Sequence, residues 1–160
     1  MSSGPEGVIQ CFNCAYQMRS DLPPRESVWR VDEAWRVALA FNSSLEGWAV
    51  VIPTRHIESL DELSDGESAS LGVLLRDLSR ALKTVTGCQK TYVMLLAEMP
   101  GFNHVHFHVV PRMADLPSDR TGTAIFAYLQ EDPLSDEARD EIAVRIRSEL
   151  TRMGAAGVPG

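Results

Sequence analysis

The run HVHFHVV, residues 104–110, constrains this chain more than any other stretch, because polar and apolar side chains alternate strictly and the polar ones are His104, His106 and His108. A period of two belongs to a β-strand, in which side chains two apart share a face. The pattern therefore predicts a strand that sends Val105, Phe107 and Val109 into a core and lines its other face with imidazoles. On a regular strand rising about 3.3 Å per residue, the outer two histidines stand about 13 Å apart. One zinc ion with nitrogen ligands at about 2.0–2.1 Å does not collect all three from such a row, so divided roles are expected. Neutral imidazole suits this, being both a nucleophile and a proton carrier near neutral pH.

Such a strand needs partners. SVWRVD and WRVALAF, on either side of DEA, predict a hairpin with Trp29 and Val31 on one face. WAVVIP, apolar on both faces, predicts an inner strand ending at Pro53, and TYVMLLAE a second inner strand joined to the histidine run through MPG. TAIFAYL reads as a further short strand. Leu71, Leu74, Leu75, Leu78, Leu82 and Val85 recur at helical spacing between a Ser64/Glu67 capping box and Gly87. Ser135 to Met153 carries Ile142, Ile146, Leu150 and Met153 on one stripe and predicts a C-terminal helix over 135–153. AYQMRSDLPPRE reads as a connecting loop, and residues 1–8 and 154–160 as flexible tails. The expected fold is α+β: one domain over 1–160, an antiparallel sheet of about five strands with one long helix packed on it and a C-terminal helix.

Charge narrows the partners. With 15 Lys and Arg against 22 Asp and Glu, the net charge is −7, which argues against long nucleic acid but leaves room for a small anion in a locally positive pocket. No apolar run approaches the roughly 20 residues of a membrane span, and MSSGPEGVIQ lacks the pattern of an export signal, so a cytoplasmic location is expected. Three cysteines are an odd number and do not suggest a disulfide framework. CFNC, residues 11–14, has a spacing that lets two thiolates chelate one zinc ion. The other soft or borderline ligands are Cys88, which reads as a small buried residue, and the four histidines. A redox CxxC would need a helix starting directly after a strand, and the residues that follow give little sign of one.

At HVHFHVV followed by PR, the sequence resembles the signature of the histidine triad (HIT) superfamily of nucleotide hydrolases and transferases, and the segment VVIPTRHI and the order of parts extend the resemblance over roughly residues 11–112. It implies a HIT-like fold, with His106 as the nucleophile that attacks an α-phosphorus and holds the nucleotidyl group, and His108 assisting at phosphate or leaving group. The pattern of zinc-containing members implies a closed structural zinc on Cys11, Cys14, His56 and His104. Asn42 matches the position that holds ribose in the family. Where many members carry a Gly-Gln-Ser-type loop, this chain has EMPGFN, which leaves the Gly101 backbone and the Asn103 side chain as phosphate donors. Arg112 is a candidate to add positive charge, Arg120 a second, and Trp29, Trp35 and Trp48 read as sheet packing. The resemblance further implies a homodimer formed by joining two sheets.

The expected function is cleavage of a nucleoside phosphoanhydride or phosphoramidate. A second reading, motivated by the altered loop, is a nucleotide-binding regulatory protein with little turnover. A distant third places a catalytic metal on His106 and His108, but no carboxylate-bearing metal motif accompanies them.

Overall fold

The computed structural model describes residues 11–160, so the tail expected at 1–8 lies outside the described residues. Trp29–Val31 (β1) and Trp35–Leu39 (β2) form the expected hairpin, with Val31 opposite Trp35. Ala49–Pro53 (β3) pairs with β2, Lys90–Leu95 (β4) pairs with Phe107–Arg112 (β5), and β5 in turn pairs with β3. All neighbours are antiparallel, in the order β1-β2-β3-β5-β4.

Two strand expectations need correction. The TYVMLLAE strand is not internal: β5 takes the place beside β3, which leaves β4 at the sheet edge with Val93 and Leu96 exposed. The histidine strand begins only at Phe107, because His104 sits in a bend and Val105 donates its backbone N–H to the Ile57 carbonyl at 2.8 Å rather than to a strand. The alternation nevertheless holds on the apolar side, where Val105, Phe107 and Val109 enter the core.

That core lies between one sheet face and two helices. Asp65–Thr86 (α2) starts with the Ser64/Glu67 capping box and ends at Gly87 in the left-handed conformation, φ 75°. Asp136–Arg152 (α3) is capped by Ser135 and buries Ile142, Ile146 and Leu150. Trp35, Val37, Leu78 and Leu82 pack with them.

The other face carries His108 and Arg36. Across it, Ala38 stands opposite Val50, Val50 opposite His108, and His108 opposite Met94, while Arg36 stands opposite Ile52. The TAIFAYL segment, expected as a strand, is instead a 3-10 helix, Gly122–Leu129, laid over this face so that Ile125 and Phe126 pack with Trp48 and Val110. Its β-branched and aromatic residues suit any half-buried surface, which is why their pattern alone reads as strand.

The start of AYQMRSDLPPRE also departs from the loop reading, since its first three residues continue a helix that begins within the CxxC. Phe12–Gln17 (α1) is a helix whose N-cap is Cys11, with Cys11 Sγ accepting from the Cys14 backbone N–H at 3.4 Å. A helix of six residues is too short to stand on propensity, and it is held by its packing: the Phe12 ring lies 5.5 Å from Phe41 and 5.0 Å from Phe102. A 3-10 turn, Pro24–Glu26, then leads into β1. The C-terminal residues do not hang free, since Val158 and Arg30 exchange two backbone hydrogen bonds of 2.8 Å and Trp29 Nε1 donates to the Ala156 carbonyl at 2.9 Å. The tail thereby covers the outer edge of β1. Among the described residues no helix is long and apolar enough to cross a membrane.

Candidate active site and metal centre

The start of α1, the segment after β3 and the bend before β5 converge on one point. Ligand atoms of Cys11, Cys14, His56 and His104 all lie within 4.8 Å of one another, and among the described residues this is the one His/Cys/Asp/Glu group arranged to hold a metal ion. Cys14 Sγ is 3.2 Å from Nδ1 of His56 and 3.5 Å from Nδ1 of His104, and Cys11 Sγ is 3.5 Å from the same His104 nitrogen. A tetrahedral zinc ion with sulfur at about 2.3 Å and nitrogen at about 2.0–2.1 Å separates its ligands by roughly 3.3–3.8 Å, so the set fits such an ion. The rings are oriented for it. Nε2–H of the fully buried His104 donates to the Pro53 carbonyl at 2.8 Å, which turns the Nδ1 lone pair toward the sulfurs. Nε2 of His56 faces the Glu58 carboxylate at 3.3 Å. Burial, then the Cys11 thiol, pushes the Cys14 thiol up to about 11. A dication among these groups reverses that preference, because a coordinating thiol is deprotonated outright.

His106 and His108 are held by different partners from His104. A carbonyl has no proton to give, so the 2.9 Å contact between Nδ1 of His106 and the His104 carbonyl is an N–H donation from the ring. That fixes one tautomer and leaves Nε2 with the free lone pair. Burial holds the His106 pKa below the usual histidine value, against the opposing effect of that hydrogen bond. His108 has the opposite tautomer: Trp48 Nε1–H donates to its Nδ1 at 3.0 Å, so a neutral His108 carries its proton on Nε2. Burial, with the neighbouring His106, pushes His108 down to about 4. The two rings lie 5.0 Å apart, one with a free lone pair on Nε2 and the other with a proton there.

Both line a cavity of about 340 Å³ on the second sheet face, along with Asn42, Phe12, Phe41 and Phe102. Asn42 donates its side-chain N–H to the Leu129 carbonyl at 3.4 Å. The other expected substrate residues lie elsewhere. Gly101 (φ 83°) accepts from the Phe12 backbone through its carbonyl, Asn103 is exposed, and neither lines the cavity, although Phe102 between them does. Arg112 is four residues along β5 from His108, about 13 Å of strand, and its guanidinium serves Gln89 and the carbonyls of Met113 and Ala114. Arg120 pairs with Glu131 at 2.6 Å.

Sequence reasoning missed Trp48 as the partner of His108, and it missed Glu26 and Arg36, two buried charged residues in the cavity wall. Arg36 occupies a position on β2 where the strand is buried on both faces, and a charge in the middle of WRVAL was the available signal.

The HIT domain family model matches residues 25–115. Among solved structures, a Zn-bound histidine triad family protein from Mycobacterium smegmatis superposes with a TM-score of 0.67 and 21% identity, covering 94% of this chain and 99% of that one. A hypothetical histidine triad nucleotide-binding protein from Sulfolobus tokodaii strain7 gives 0.66 and 20%, covering 89% and 93%. A uridylyltransferase gives 0.63 and 22%, covering 89% of this chain and 46% of that one, so the chain spans less than half of that enzyme. No curated protein matches the chain in sequence. The five-stranded antiparallel sheet, the histidine row and a family match over more than half of its length together place the chain in the HIT family, whose members include nucleotidyl transferases and hydrolases.

Proposed function

We propose that the protein is a nucleotide hydrolase or nucleotidyl transferase that cleaves a nucleoside phosphoanhydride or phosphoramidate at the α-phosphorus, with His106 as nucleophile and a structural zinc behind it. The observation that carries this reading is the hydrogen bond from His106 Nδ1–H to the His104 carbonyl, which leaves Nε2 as the lone pair on a residue that lines the cavity. Nε2 attacks phosphorus, an N–P bond forms, and the bond from phosphorus to the leaving group breaks. Nε2–H of His108 donates to a phosphoryl oxygen or to the departing atom. Water then attacks phosphorus and breaks the N–P bond, releasing the nucleoside monophosphate and restoring the imidazole. Asn42 holds the ribose.

Cys11, Cys14, His56 and His104 would hold the zinc, which supplies a cross-link with four protein ligands. The Zn-bound relative supports that choice of ion. Thiols kept as ligands suit a reducing compartment, and we assign the protein to the cytoplasm. The exposed edge of β4, with Val93 and Leu96, supports a homodimer in which two sheets join, and the net charge of −7 supports a small nucleotide over long nucleic acid.

The test is a panel of dinucleoside polyphosphates, nucleotide sugars and adenylyl phosphoramidates, offered to the protein and to His106→Ala. The reading expects at least one class to turn over, with a loss of about 10⁴-fold or more in the variant. Turnover unaffected by the substitution would contradict it. Tight mononucleotide binding without turnover is the outcome of the regulatory reading, which is favoured by an EMPGFN loop whose Gly101 and Asn103 lie outside the cavity.

A further inference from the structure

The end of the cavity away from the histidines is charged. Arg36 is 1% exposed and Glu26 is 8% exposed, and both line a cavity otherwise walled largely by apolar side chains. Arg36 is partly satisfied, with Nη1 donating to the Glu26 carbonyl at 2.5 Å and Nε to Gln17 Oε1 at 3.3 Å. The Glu26 carboxyl has no hydrogen-bond partner among the described residues. Burial pushes its pKa up, and the charges of Arg36, Arg139 and Arg25 oppose that. A largely buried carboxyl that accepts no hydrogen bond from the described residues, set in a cavity wall, suits a ligand that supplies donors.

The sheet register sets the distance. Val50 pairs with His108, so Ile52, two residues along β3, stands level with His106; Arg36 pairs with Ile52 on the far side. Arg36 and His106 therefore project from the same face two strands apart, about 10 Å between backbones. Phe12, Phe41 and Phe102 cluster in the wall of the same cavity, with Phe41 and Phe102 stacked at 21° and 6.0 Å, and offer apolar surfaces to a planar ring.

We propose that Glu26 and Arg36 read the edge of the nucleobase and select guanine, an inference that rests on the nucleotide reading of the site given above. A carboxylate accepts best from two adjacent donors, and guanine alone among the common bases presents two, N1–H beside the N2 amino group. Its O6 and N7 acceptors suit a guanidinium fork. Adenine turns a lone pair at N1 toward the carboxylate, cytosine does the same at N3, and uracil offers a single donor between two carbonyls. Glu26 and Arg36 are thus specificity-determining residues, set apart from the triad that performs the chemistry.

The test is calorimetric titration of the full-length protein with guanosine, inosine and adenosine 5′-monophosphates, with Glu26→Gln alongside. Guanosine monophosphate is expected to bind about tenfold or more tightly than adenosine monophosphate. Inosine monophosphate, which lacks the N2 amino group, should fall between them. In Glu26→Gln the guanosine and inosine ligands should become equal while adenosine monophosphate is unchanged. Adenosine binding as tight as guanosine, or a guanosine preference that survives in folded Glu26→Gln, would overturn the proposal. If Glu26→Gln does not fold, the ranking in the parent protein decides: guanosine no better than inosine overturns it. Equal binding of all three removes this inference and leaves the nucleotide reading standing, whereas no binding of any removes both.

Discussion

The carbonyl oxygen of His104 accepts the Nδ1–H of His106 at 2.9 Å, so the residue whose ring meets Cys11 and Cys14 also sets the tautomer of the histidine two positions on. The candidate metal centre and the proposed nucleophile are joined through one backbone carbonyl. Cys14→Ser should therefore lower bound zinc well below one per chain, reduce the melting temperature, and cut kcat by about 10- to 100-fold, the usual range for groups that brace a metal site. Metal analysis with thermal melts and kinetics checks this. Full zinc content and unchanged turnover in the variant would separate the two sites.

Trp48 fixes His108 by donating its indole N–H to Nδ1 at 3.0 Å. Trp48→Phe keeps most of the apolar contact with Phe126 but leaves Nδ1 of His108 without its donor. Loss of a buried hydrogen-bond partner costs about 1–3 kcal/mol, and the freed ring should lower kcat by about tenfold. The indole N–H favours neutral His108, so its removal should raise the His108 pKa from about 4. Titration of the histidine NMR signals in both proteins reads this directly.

Glu67 closes the capping box of α2 and pairs with Arg55 at 2.9 Å; that ion pair, then the Ser64 backbone N–H, holds its carboxyl down at about 2 against an ordinary 4.5. A depressed carboxylate contributes stability that is complete above the unfolded value and is lost as pH falls toward the folded one. The stability gap between the parent and Glu67→Gln should thus be widest above pH 4.5 and close as pH approaches 2. Urea unfolding at a series of pH values measures it, and a gap that widens in acid would contradict the assignment.

An unpaired strand edge invites a second copy. Val93 on β4 is 45% exposed, and Val93→Glu should shift the protein toward monomer in sedimentation or light scattering while leaving the monomer folded. A parent protein that is monomeric at micromolar concentration would remove the dimer from the account.

The sequence disclosed what local periodicity encodes. The hairpin at Trp29–Leu39, the capped helix ending at Gly87 and the inward side of Val105, Phe107 and Val109 all follow from patterns of two or three to four residues. The four metal-site residues were legible through spacing and resemblance, and the structure brings them together. What was hidden depends on contacts between distant segments. Hydrophobicity does not say which of two apolar strands takes the edge, so β4 was misplaced. A six-residue helix held by Phe41 and Phe102, and a tail held by Arg30 and Trp29, carry no signal of their own. The same is true of Arg112, whose nearness to the triad in sequence becomes about 13 Å of strand beyond His108, with its guanidinium turned to Gln89 and Met113.

In the proposed reaction His106 carries the nucleotidyl group before water releases it. Mixing protein with a dinucleoside polyphosphate, quenching in alkali within milliseconds and mapping peptides by mass spectrometry reads this. A nucleoside monophosphoryl adduct on His106 is expected that forms before product and is missing in His106→Ala. Product formed with no adduct on any histidine, at a rate that His106→Ala retains, would contradict it.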